Sequence, residues 1–114
     1  MSRSDPTVRV RHMKDYACKA LDLTEGLARD DLDRNETLRL ALTHLVELVG
    51  EAANQVPPDR RAAWANIPWA KVVAMRHRLI HGYDLVDYDI LWDTIRHDFP
   101  ALIAELDRIL TPRP

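Results

Sequence analysis

Between residues 74 and 84 the chain reads AMRHRLIHGYD, which sets Arg76, His77, Arg78, His81 and Tyr83 close together on one short stretch. An imidazole, with an ordinary pKa of about 6.5, takes or gives a proton near neutrality. A guanidinium is a permanent cation whose fork matches a phosphate. Gathered around one centre, these groups would suit a place where a phosphate is attacked. The competing reading is a solvated basic helix face, which charge runs usually are. With Lys71 these residues form a basic window that meets no acid until Asp84, whereas ARDDLDRNE at residues 28–36 is rich in acids.

The chain that must position them has 114 residues, 46% apolar and 30% charged, enough to bury one core without staples. One domain spanning residues 1–114 is expected. Sixteen Lys and Arg against eighteen Asp and Glu leave a formal charge of -2, so no global basic field marks a nucleic-acid binder and any polyanion must be met locally. A duplex-DNA reader is disfavoured, because no recognition helix flanked by basic residues is evident. Cys18, the only cysteine, rules out an internal disulfide, fits a reducing compartment and reads as a small buried hydrophobe. MSRSDPTVRV lacks the apolar region of a signal peptide, and no run approaches the roughly 18 apolar residues of a membrane span. A cytoplasmic protein with no membrane contact is expected.

Three glycines and no alternating apolar-polar runs argue for an all-α fold. A first helix is expected over about residues 8–27, with Val10, Met13, Ala17, Ala20, Leu21, Thr24 and Leu27 on one face. A second starts from a capping-box-like Asp33 and Glu36, carries the stripe Leu38, Leu42, Leu45, Val49, Ala52 and Val56, and stops at Pro57-Pro58. A short extra helical turn is expected near residues 59–65. The third helix runs from Pro68 to Gly82, a glycine suited to closing it. The last is capped by Asp87 or Asp89 and reaches about Leu110, kinked or restarted at Pro100 with Asp98 as a new cap.

Phased at 3.6 residues per turn, the third helix places Trp69, Val72, Val73, Leu79, Ile80 and Tyr83 in one apolar sector with Arg76 in its middle. An unpaired charge there costs several kcal/mol. Two explanations stay open: a structural ion pair with Glu47 or Glu51 of the second helix, or a polar cleft beside the core. His77 and His81 share a side with Ala70 and Ala74, small residues that would let a helix or a second subunit approach. As a metal pair they lack a third ligand unless Asp84 or Asp87 supplies one, and no H-E-x-x-H arrangement occurs; no metal or cofactor is expected. Arg76 and His81 lie about 140° apart on an ideal rod. Either the helix end at Gly82 swings His81 round, or the groove is assembled between two copies of the chain.

RHRLIHGY, residues 76–83, fits R-x-x-x-x-H-x-Y, and its flanks are equally telling: LVELVGEAANQVPPD, IPWAKVVAMRHRLIHGYD and DYDILWDTIRHDFPALIAEL follow in that order. In these segments the chain resembles the HepT-type toxin ribonucleases of the HEPN superfamily, from about residue 8 to 110. His77 stands where many relatives carry asparagine. The resemblance implies an antiparallel four-helix up-and-down bundle and a metal-independent endoribonuclease acting as a homodimer, with a toxin's role beside an MntA-like nucleotidyltransferase antitoxin. Assemblies beyond the dimer would include the antitoxin. Carried onto this sequence, Arg76 and His81 would be catalytic, His77, Arg78 and Lys71 would bind or orient RNA, and Tyr83 would be the AMPylation site through which the antitoxin silences the enzyme. The residue types agree, since RNA supplies its own nucleophile in the 2'-hydroxyl and the protein need only move protons and hold negative charge. The alternative is a non-catalytic helical partner of a minimal nucleotidyltransferase.

Overall fold

The computed structural model describes residues 5–81 and 85–112. Asp5 caps the first helix by accepting the Thr7 backbone N–H at 2.9 Å, and Pro6 takes the first helical position, where a missing N–H costs nothing. That hydrogen bond holds the Asp5 carboxyl below its ordinary value. The resulting helix, α1 (Pro6–Thr24), buries Val10, Met13, Ala17, Ala20 and Thr24 as the periodicity predicts. It stops three residues early, because Gly26 turns the chain with φ at 74° and leaves Leu27 exposed.

A 3-10 turn over Arg29–Arg34 follows, tucking Leu32 into the core. It displaces the expected cap of the second helix. Asn35, whose side chain accepts from the Leu38 N–H at 3.0 Å, caps α2 (Glu36–Asn54), while Asp33 pairs with Arg29 at 3.0 Å. Arg29 also reaches Asp89 at 2.6 Å, tying this turn to the last helical segment. Val46, absent from the expected stripe, is fully buried, whereas its neighbour Leu45, placed on that stripe, is only partly buried. The short turn after Pro57 is α3 (Pro58–Ala63).

The third helix is not continuous. It is broken at Ala74 into α4 (Trp69–Val73) and α5 (Met75–Leu79), then gives way to a two-residue strand, β1 (Ile80–His81). This strand pairs antiparallel with β2 (Leu85–Val86), Ile80 opposite Val86 and His81 opposite Leu85. The third helix therefore ends before Gly82. That glycine, Tyr83, Asp84 and the side chain of His81 lie outside the described residues.

The break explains why Arg76 is not in the core. At Ala74 (φ -84°, ψ 0°) the His77 N–H bonds the Ala74 carbonyl at 3.0 Å, three residues back, so the turn tightens toward 3-10 geometry. Each residue of tighter turn adds roughly 20° of rotation relative to an α-helix. Met75, 2% exposed, joins Val72 and Leu79 in the core, and Arg76, 64% exposed, swings to the rim.

Asp87 caps α6 (Tyr88–Asp93), accepting from the N–H groups of Asp89 and Ile90 at 3.0 Å. The kink expected at Pro100 takes the form of a π-helical segment, Thr94–Asp98, running without interruption into α7 (Phe99–Leu110). Proline cannot donate to a carbonyl four residues back, and the wider turn, with the Phe99 N–H bonded to the Thr94 carbonyl, absorbs that loss. Asp98 caps nothing with its side chain. α1 packs along α2 and α7, and α2 along α4 and α5, around Val10, Met13, Leu42, Val46, Val49, Ile95, Phe99 and Leu106. The result is the expected all-helical bundle. Among the described residues, no helix is long and apolar enough to cross a membrane. Cys18 is half-buried, not fully so, and burial pushes its thiol up from the ordinary value.

The phase shift at Ala74 makes an ordered prediction. Met75→Ala is expected to cost about 2 to 5 kcal/mol of stability, and Arg76→Ala under about 1 kcal/mol. Chemical denaturation of the two variants checks it, and the reverse order would contradict the break.

Candidate active site

The site is built where α4 and α5 meet α2. On α2, Glu47, Gly50, Glu51 and Asn54 recur at three- and four-residue spacing and so form one polar face. Gly50 sets the depth of approach: a side chain there would stand 3.2 Å from the Val72 carbonyl oxygen. Any side chain there would crowd that oxygen and push the helices apart by a few tenths of an ångström, so glycine lets the α4 backbone lie close against α2 and present the following residues to its polar face.

Arg76 and His77 emerge just beyond this contact. Together with Glu47, Glu51 and Asn54 they border a crevice of about 280 Å³. The Arg76 Nε–H donates to Glu47 Oε2 at 3.1 Å, and the carboxylate is 31% exposed. Of the two partners open to Arg76 in the sequence, Glu47 is therefore the one in contact. The pair does not seal the arginine inside the protein, so the ion pair and the polar cleft occur together. Contact through Nε leaves open the end-on edge formed by Nη1 and Nη2, which can take a phosphate bidentately.

Lys71 and Arg78 are not brought to this crevice. They converge on Asp98 at the end of the π segment, with Lys71 Nζ 3.7 Å and Arg78 Nη1 3.8 Å from the same carboxylate oxygen. Lys71 also borders a second crevice of about 350 Å³, between α4 and α7, with Met75, His97 and Leu102. The basic window thus divides, Arg76 and His77 facing α2 while Lys71 and Arg78 face the last helix. His81 contributes its backbone to β1, which begins directly after α5.

Two features were not recognised from sequence. Asp98 reads as a helix cap but acts as a shared carboxylate for two cations. Arg96, read only as part of the last helix, donates to Thr24 Oγ1 at 3.1 Å and lies 3.9 Å from Glu25, anchoring α1 to the π segment. Thr24, buried with its hydroxyl donating to the Ala20 carbonyl at 3.0 Å, was the available signal: a threonine on an apolar stripe needs a polar partner. The tryptophans serve packing, as their positions suggest. Trp69 is buried with its indole N–H on the Trp64 carbonyl at 3.0 Å, and Trp64 and Trp92 pack against the core.

Fold and site together define a small all-helical protein with a guanidinium held at the mouth of a solvent-open crevice. The Ribonuclease HepT-like family matches residues 13–109, and the chain belongs to that family. It is similar to "Probable ribonuclease HepT" of Thermococcus cleftensis, 31% identical over 106 residues covering 87% of this chain and 96% of the relative. Two proteins of Methanocaldococcus jannaschii are also similar. "Putative RNase MJ1216" is 26% identical over 110 residues, 96% of this chain and 91% of the relative. "Putative RNase MJ1380" is 28% identical over 107 residues, 94% and 98% respectively. No solved structure matches the chain.

Proposed function

We propose that the chain is an endoribonuclease toxin of a HepT/MntA-like toxin–antitoxin pair, cutting RNA by attack of its own 2'-hydroxyl. The observation that carries this reading is Arg76, tethered through Nε at the rim of an open crevice with His77 beside it. In the proposed reaction an imidazole takes the 2'-hydroxyl proton as that oxygen attacks phosphorus, and the bond to the 5'-oxygen breaks as that oxygen accepts a proton. His81 is assigned the proton transfer and Arg76 the charge of the pentavalent transition state. No step requires a metal, because nucleophile and leaving group both belong to the RNA.

His77 is assigned to orienting Arg76 or contacting the phosphate. Lys71 and Arg78, two cations on one carboxylate, leave a net positive charge beside Asp98 and are assigned to the RNA backbone away from the scissile bond. The reading includes a homodimer in which each subunit offers one His81, one acting as base and the other as acid. Leu40, 65% exposed, lies two helical turns before Glu47 on the same side of α2. A second copy covering that leucine would also close over the crevice. Tyr83 is assigned as the position AMPylated by a nucleotidyltransferase antitoxin, since an added phosphodiester would repel the substrate phosphate and fill the cleft.

Arg76→Ala and His81→Ala are each expected to lower RNA cleavage at least 100-fold, on the order of what a lost transition-state charge contact or proton-transfer group costs, while leaving the chain folded by circular dichroism. The wild-type products should be a 2',3'-cyclic phosphate and a 5'-hydroxyl, formed equally well with chelator present. Full activity in His81→Ala, or a 3'-hydroxyl with a 5'-phosphate, would overturn the mechanism. For regulation, intact mass of the chain co-expressed with a nucleotidyltransferase encoded beside it should rise by one or more adenylyl groups. That gain should vanish in Tyr83→Phe; an unchanged mass in the wild type, or a gain that survives the substitution, would remove Tyr83 from the account.

A further inference from the structure

We propose that Glu47 is a positioning residue of this site: it holds the Arg76 guanidinium by its Nε–H so that the Nη1–Nη2 edge is presented to the scissile phosphate. The assignment rests on the ribonuclease reading above and adds to it a residue on a different helix, whose own role is not to touch RNA.

Three observations carry it. The pair spans α2 and α5, joining residues 29 apart in sequence, and its geometry is side-on, Nε to Oε2 at 3.1 Å. A carboxylate engaging the outer edge of the fork would block phosphate; one engaging Nε leaves that edge open. Next, the pair is exposed, the arginine 64% and the glutamate 31%, and such pairs contribute little to stability. The helices do not need it for docking, since α2 is already held against α4 and α5 by the Gly50–Val72 approach and by Val49, Ala53, Val72 and Met75 in the core. What the contact does fix is the direction of a long side chain with many rotamers, an ordering cost met before substrate arrives. Finally, among the described residues Glu47 is the one charged partner of Arg76. Glu51, one turn further along α2, borders the same crevice without pairing to it.

A carboxylate beside a phosphate site also repels the substrate. Glu47 should therefore favour turnover at some expense of affinity, and this gives a signature that loss of structure would not produce. In Glu47→Ala, kcat for RNA cleavage is expected to fall at least tenfold while KM stays the same or drops. In Glu47→Gln, whose amide oxygen still accepts the Nε–H, kcat should be intermediate. Wild-type kcat in Glu47→Ala, or a rise in KM matched by a fall in melting temperature, would overturn the proposal.

The second readout does not depend on cleavage. The Arg76 Nε–H resonance, assigned by its loss in Arg76→Lys, should report an ordered side chain in the wild type and a mobile one in Glu47→Ala. Equal order in both proteins would overturn the positioning role even in an active enzyme. A wild type that cleaves no RNA would sink the ribonuclease reading instead, and the resonance would still decide whether Glu47 holds the arginine.

Discussion

A backbone carbonyl pressed against a glycine decides the geometry of this protein's site. The Val72 oxygen occupies ground that any side chain at position 50 would contest. The approach matters because it occurs two residues before the helical break at Ala74. α4 is fixed against α2, and the tightened turn then rotates everything beyond it. Met75 goes under and Arg76 comes out, opposite a carboxylate on the helix that α4 is pressed against. Close packing and an exposed cation thus lie within four residues of each other, Val72 to Arg76.

That arrangement also sorts the charge. The basic window of the sequence has five cationic or titratable side chains within eleven residues, Lys71 to His81. In space, Arg76 is paired across to Glu47, whereas Lys71 and Arg78 share Asp98 on the other flank of the same short helices. The π segment makes the second grouping possible, because its wider turn accommodates Pro100 without breaking the rod and leaves the Asp98 side chain free of capping duty. A net charge of -2 over the chain is compatible with two local cationic positions because each is placed by a specific carboxylate.

Much of this was legible from residue types and spacing. The α1 stripe, the end of α2 ahead of Pro57, the turn after it, the Asp87 cap and the disturbance at Pro100 all follow from local rules of periodicity, capping and proline geometry, although α2 already ends at Asn54. The contact of Arg76 with Glu47 was one of two named choices. Arg76 departs from its phased position in the core for a definite reason: helical phasing assumes an unbroken rod, and nothing in Val-Val-Ala-Met marks a break. The break lies beside the place where Gly50 lets α2 come close, a tertiary contact that local phasing does not include. The Asn35 cap was likewise hidden because burial of Leu32 pulled residues 29–34 into a 3-10 turn, a tertiary effect that overrides a capping-box pattern. Lys71 and Arg78 separated from Arg76 for the same reason, since their destinations depend on where α7 lies.

The central claim is that the Arg76 guanidinium grips the phosphate to be broken. A structure of the protein with an uncleavable 2'-O-methyl RNA bound tests it most directly. The account predicts a phosphate within hydrogen-bond distance of Arg76 Nη1 or Nη2, with Nε still on Glu47. RNA lodged only against Lys71, Arg78 and Asp98, with the crevice beside α2 empty, would contradict it.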